Sequence, residues 1–559
     1  MKNSAIVLFL TALLTGPTLF AQDIQEGIND LYAERKQSAK AVFQKIVDKK
    51  PNNMEATYWL GQADLASNDT AAARALYEKA LAANGNAPLV LVGLGHVDLL
   101  EGKADEARQR FEAAITMSHG RKGNDPDVLN AIGRANVDAK AGDVDYAIAK
   151  LTEASQIDPK NPDIFLNLGN AYFKKHEGGN AVTSYMKAIA INQDFAPAWY
   201  QIARIYQTQQ NWEVFTQNLN RAIQADPKFA PAYYWLYDYT LRYKKDFAKA
   251  EEYANKYITN SDPSPDNDYI KAQTAWVQDK FDEAIATAKN IIAEAGDKAN
   301  PRVYRLLGYS YLSKGDTATA CQYVGQFFQK AKETDVVAQD YILQADACGK
   351  GNPELVRESY VKAVQVDSNL VNQVNMLNQG IERFQKSGNK VAEADLRLLS
   401  YQLRGSQANP AEFFQIGLPL YQAGKYMRAD SMFKAYTAAF PDSIYGYYWS
   451  ALSLAQIDTT MQQGLAVPSY QKTLEVALTD TARFKNMGVQ AAGYLAGYYN
   501  NIKNNKDTAI EYLKKGLIFD PTNQVLQNAL NILSKSSSGK ASPANKPSGS
   551  GSGTSGKKK

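Results

Sequence analysis

Residues 162–195 read PDIFLNLGNAYFKKHEGGNAVTSYMKAIAINQDF, and their large apolar positions, Phe165, Leu168 and Tyr172, recur every three or four residues. That spacing is one face of a helix. The pattern breaks at HEGGN (176–180) and resumes with Ala181, Tyr185 and Ala188 at the same interval. The segment therefore predicts a helix over about 163–175, a turn made by the Gly-Gly, and a second helix over about 180–191. Two antiparallel helices approach closely only where side chains are small, so Gly169, Ala181 and Ala188 are expected at the contact, with the bulky residues filling the grooves beside it.

The same order of large and small residues returns at a fixed period of 34. Leu60-Gly61, Ala73, Tyr77 and Ala80 occupy 54–87; Leu94-Gly95, Ala107, Phe111 and Ala114 occupy 88–121 at identical offsets. Looser copies run through 20–53, 126–161, 196–229, 230–264, 265–298 and 301–334. The match thins over 337–370 and 371–409, recovers at 410–443, stretches through 444–483 and closes at 490–523. This pattern resembles the tetratricopeptide repeat family, whose unit is a helix–turn–helix. The resemblance covers nearly all of 22–523 and implies an all-α fold, a right-handed superhelical α-solenoid of antiparallel helix pairs.

The array is expected to divide into an N-terminal part (22–334), a degenerate stretch acting as a hinge (335–409) and a C-terminal part (410–535). In the last of these, QVLQNALNILSK (524–535) covers the final apolar face. Residues 536–559, rich in Ser, Gly and Lys, read as a disordered tail. At the other end Lys2, the apolar run AIVLFLTALL, Gly16-Pro17 and the small Ala21 form the three-part pattern of a secretory leader over 1–21. Cleavage near Ala21 would leave a periplasmic or otherwise extracytoplasmic chain with no transmembrane segment. A formal charge of +4, spread evenly over 559 residues, argues against a nucleic-acid partner.

Catalytic signatures are missing: no phosphate loop, C-x-x-C pair or G-x-S-x-G elbow occurs. HEGGN lacks the second histidine of a zinc-protease motif, and His96, His119 and His176 share no ligand spacing, so neither metal, cofactor nor enzymatic activity is expected. Cys321 falls early in one helix and Cys348 late in a neighbouring one. They read either as two small buried hydrophobes or as a structural disulfide.

The family resemblance implies that a protein or peptide lies along the concave face formed by the first helix of each pair. The positions pointing away from the second helix are Asn167, Asn170 and Lys174, then Tyr200, Gln201 and Arg204, then Tyr234, Trp235 and Asp238. NLGNAYFKK is similar to helices that grip a peptide backbone through asparagines and to helices that hold a terminal carboxylate. The carboxylate set is incomplete here, because no second Asn-Lys-Arg group follows one repeat on. These features predict a non-catalytic interaction scaffold of the bacterial cell envelope. The competing expectations are an accessory subunit of a secretion or outer-membrane assembly complex, and a glycan- or peptidoglycan-binding protein using Tyr and Trp as stacking platforms.

Overall fold

A computed structural model describes residues 16–121 and 123–537. The leader (1–21) and the tail (536–559) lie outside the described residues except for a few backbone positions. The described residues form 29 α-helices and no strand.

The pair around Gly169 shows why this sequence gives helix pairs. Its first helix, Pro162–Lys174, opens with Asn161 accepting a hydrogen bond from the Asp163 amide and with Pro162 in the first turn, where a proline costs no hydrogen bond. It ends at Lys175, and His176 then takes a left-handed conformation (φ 64°). The second helix spans Gly178–Ile191. Gly178 and Gly179 thus belong to the first turn of that helix, and the reversal expected of the Gly-Gly is made by His176. The same left-handed position between paired helices is filled by Asn68, Gly102, Gln210, Gly315 and Gly424 in other repeats. One conformation is required there, but several residue types adopt it.

Packing within a pair follows the small-residue rule. A Cβ on Gly169 would sit 2.3 Å from the Tyr185 ring, one on Gly61 2.2 Å from Tyr77, and one on Gly95 2.6 Å from Phe111. No methyl group fits at those distances, so each glycine is the space into which the partner helix puts its ring. Tyr77, Tyr185 and Phe111 are accordingly buried.

The chain divides into two compact units, Met1–Ala299 and Asn300–Lys559. In the first, a helix pair α1 (Gly16–Tyr32) and α2 (Lys36–Lys49) leads into pairs that continue to the helix Phe281–Ala295. First helices of successive pairs touch one another as well as their own partners. Those at Gly16–Tyr32, Met54–Ala66, Pro88–Leu100, Pro126–Asp138 and Pro162–Lys174 all face a single cavity, which makes them the inner wall of this unit.

In the second unit, residues 335–409 contain two helix pairs, Ala338–Cys348 with Pro353–Val366 and the longer Leu370–Ser387 with Lys390–Arg404. The lengthened pair accounts for the lost period. Gln524–Ser537 lies over the Ala496, Leu513 and Leu526 cluster as the last helix. Cys321 and Cys348 are joined by a disulfide across Cα atoms 4.9 Å apart, tying the helix Thr317–Lys330 to Ala338–Cys348.

Candidate functional site

The residues expected on the inner wall of the first unit fall into two groups, and only one of them forms a cluster. Tyr200 and Arg204 lie on the helix Ala196–Thr208 and Trp235 lies on Ala230–Tyr239. The Trp235 indole donates to Tyr200 Oη at 3.0 Å. Arg204 Nη1 donates to the same oxygen at 3.2 Å. The Arg204 guanidinium also lies over the Trp235 ring, 4.8 Å from its centre, a cation–π arrangement. Tyr234 packs edge-on against Trp235 with ring centres 5.7 Å apart. Asp238 is paired with Arg242 at 2.5 Å, and Gln201 stays partly exposed at the side. Burial raises the Tyr200 phenol above its ordinary pKa, so it stays neutral while its oxygen accepts from both the Arg204 guanidinium and the Trp235 indole.

Asn167, Asn170 and Lys174 do not join that cluster. Asn167 is buried and donates to Asn130 Oδ1 at 2.9 Å. Asn170 accepts from Tyr185 Oη at 2.8 Å, so it faces the second helix of its own pair rather than away from it. Lys174 Nζ donates to the carbonyl oxygens of Asn136, Val137 and Ala139 at 3.2, 2.6 and 2.7 Å. It closes the C-terminus of the preceding first helix, where a cation is favoured by the exposed carbonyls. Burial lowers its pKa. A lysine committed to three carbonyls is not available to grip a terminal carboxylate.

The same inner wall carries residues that sequence reasoning passed over. Arg134 Nη2 contacts Asp163 Oδ2 at 2.6 Å, and its guanidinium covers the Trp59 ring at 4.4 Å. Tyr58, Trp59, Asn130, Arg134 and Asp163 line a cavity of about 350 Å³. Behind it His96 is buried, its Nδ1 lying 3.2 Å from Gln62 Oε1. Burial, reinforced by Arg134, holds the His96 imidazole down at about 4. The signal that could have found these residues is positional: Gln62, His96, Arg134, Asn170 and Arg204 each follow the small residue at the helix contact. From that position Arg134 reaches the inner-wall cavity and Arg204 reaches Tyr200 and Trp235, whereas Asn170 turns to Tyr185.

The arrangement places aromatic rings and two arginines on the inner wall, residue types in which binding energy concentrates. Among the described residues, no group of three or more His, Cys, Asp and Glu side chains converges to hold a metal ion. None of the described helices is long and apolar enough to cross a membrane.

Comparison with known families gives matches to "TPR repeat" over 135–175 and to two "Tetratricopeptide repeat" models, one over 24–88 and 269–326, the other over 162–195 and 196–229. The last two boundaries coincide with the repeats read from the sequence. Among solved structures, the C-terminal part of a TPR repeat-containing protein from Cytophaga hutchinsonii is 25% identical, covering 47% of this chain and 99% of that one, with a TM-score of 0.26. A tetratricopeptide repeat protein from Parabacteroides merdae is 18% identical, covering 46% and 98%, with a TM-score of 0.37. YrrB, described as a TPR protein with an unusual peptide-binding site, is 19% identical, covering 33% and 92%, with a TM-score of 0.22. No curated protein matches the chain.

Proposed function

We propose, for a chain that belongs to the tetratricopeptide repeat family, a non-catalytic scaffold of the bacterial cell envelope that holds a segment of a protein partner on the inner wall of its first unit. Protein interaction is the general work of this fold, and the Tyr200–Arg204–Trp235 cluster is the observation that carries the narrower reading. Its rings and guanidinium are preorganised by their mutual contacts, so a partner meets them at little further ordering cost. The envelope assignment is supported by the leader pattern at 1–21 and by the Cys321–Cys348 disulfide, since such bonds persist in oxidising compartments.

Affinity capture from a native envelope extract, using residues 22–559, tests this reading. The intact chain is compared with an Arg204→Ala, Trp235→Ala double variant whose circular dichroism shows unchanged helix content. A stoichiometric protein partner held by the first and lost by the second is the expected result. Equal retention by both would remove the inner wall from the proposal.

A further inference from the structure

The loop between α1 and α2 does more than join two helices, because it meets the same unit again 160 to 230 residues later. The Tyr32 ring stands edge-on to Phe195 with centres 6.0 Å apart. Ala33 is fully buried in one cluster with Ala196, Tyr200 and Phe229. Arg35 Nη1 donates to the Lys228 carbonyl at 2.8 Å and to the Asn260 carbonyl at 3.5 Å. Its other side is held by Asp30 at 2.7 Å.

The start of α2 is completed from outside. Its own cap residue, Arg35, makes no side-chain cap bond. Instead Asp262 accepts from the Gln37 amide at 2.7 Å, the Ser38 amide at 3.4 Å and the Ser38 hydroxyl at 2.6 Å. A carboxylate at a helix start is a strong cap, as it meets both unpaired amides and the positive end of the dipole. Here it is supplied by a residue 225 positions away.

This junction differs from those between neighbouring pairs. α2 packs on the next pair through Phe43, Ile46, Ala56 and Leu60, an apolar cluster. On the α1–α2 side the returning contact buries Ala33 and the Tyr32 ring as its apolar part, the rest being the charged and polar bonds of Arg35, Ser38 and Asp262. It borders an open cavity of about 1010 Å³ whose lining includes Glu26, Asn29, Asp30, Asp194, Asp226 and Thr259. Contacts with the smaller apolar burial and the more exposed polar bonds are the ones folded proteins open first, and this seam has a smaller apolar part than the α2 attachment. α1 and α2 would keep their apolar attachment if this contact parted.

We infer that the first unit is a coil closed on itself, whose polar seam, held by Arg35 and Asp262, opens reversibly while every helix pair stays folded. The α1–α2 loop lies against Tyr200, so opening uncovers one edge of the cluster described above. That consequence rests on the partner-binding reading of the inner wall; the seam itself does not.

Thiol labelling tests the seam without a partner. The protein's two cysteines are bonded to each other, so an introduced cysteine is the one reactive thiol. Ala33→Cys places it in the seam and Val90→Cys places it in the apolar core of a pair, both positions being fully buried. In the full chain under native conditions, Ala33→Cys is expected to react with a maleimide faster than Val90→Cys. Adding Asp262→Ala is expected to raise the Ala33→Cys rate by about tenfold or more, the loss of a charge-assisted cap, and to leave the Val90→Cys rate unchanged. Equal rates at the two positions, or equal acceleration of both, would overturn the seam. Should Ala33→Cys fail to fold, hydrogen exchange at the Gln37 and Ser38 amides gives the same comparison, with Asp262→Asn expected to retain most of the protection that Asp262→Ala loses. No change on Asp262→Ala would again overturn it. Because no partner enters either measurement, failure here leaves the scaffold reading untouched, and loss of partner capture would leave the seam untouched.

Discussion

His96 is a titratable residue placed where its charge cannot be solvated. Its Nδ1 faces Gln62 Oε1, and Gln62 Nε2 donates to Tyr77 Oη, which itself donates to the Tyr58 carbonyl. The chain fixes the orientation of each member: with its amide nitrogen committed to Tyr77, Gln62 offers oxygen to the imidazole, which must then carry its proton on Nδ1. Burial and the neighbouring Arg134 hold the folded-state pKa at about 4, against about 6.5 in an unfolded chain. The unfolded state therefore binds a proton that the folded state refuses between those values. His96 contributes no pH dependence above about pH 6.5, and its presence costs stability progressively as pH falls towards 4, by about 3 kcal/mol at the bottom of the window. Urea unfolding of His96→Gln, followed by circular dichroism at about pH 7 and about pH 4.5, should show a smaller acid loss than the natural chain. Carboxylates titrate alike in both proteins, so parallel losses would mean that the imidazole is protonated in the folded state.

At the scale of the helix pair, what was legible in the sequence and what was not separate cleanly by cause. Gly61, Gly95 and Gly169 could be read because each small residue has a ring opposite it at a constant offset, and steric exclusion leaves a compositional trace. The left-handed turn position left none that could be read, since His176, Gln210 and Gly315 all fill it. The commitment of Lys174 was hidden because its acceptors are backbone carbonyls, which carry no side-chain signature. Asp262 capping α2 was hidden by 225 residues of intervening chain. The cysteine pair sat between these cases: adjacent helices could be foreseen, whereas the bond depends on side-chain geometry. That bond closes a loop with a sequence separation of 27, which in the chain-entropy account stabilises the fold by about 3–4 kcal/mol. Cys321→Ser with Cys348→Ser should therefore lower the calorimetric transition of residues 300–537 while leaving that of residues 22–299 in place. An unshifted transition in the second unit would show that the bond constrains nothing the packing had not already fixed.

For the whole chain, the question is whether a solenoid behaves as one cooperative body. Repeat arrays derive stability from each unit and its nearest neighbours, so cooperativity extends only as far as the stacking is continuous. The division between the compact units falls at Ala299 and Asn300, just after Gly296, which turns the chain at φ 55°, and a short 3-10 turn over Gly296–Lys298. Pro301 then opens a new helix. Each side has cores of its own: Tyr237, Ala250 and Ile270 cluster before the division, and Ala320, Val324 and Leu343 after it. The first side is also closed by the Arg35 and Asp262 contacts, which give its first helix pair a second attachment, whereas the second side is tied internally by its disulfide. Two bodies with different fastenings should melt separately. Residues 22–299 and 300–537, produced as independent chains, are expected to fold, to give circular dichroism spectra that add up to that of residues 22–537, and to melt at the two temperatures seen in the joined protein. A fragment that is unfolded alone, or one concerted transition in the joined chain, would make the array a single cooperative unit and move its weakest joint away from residue 299.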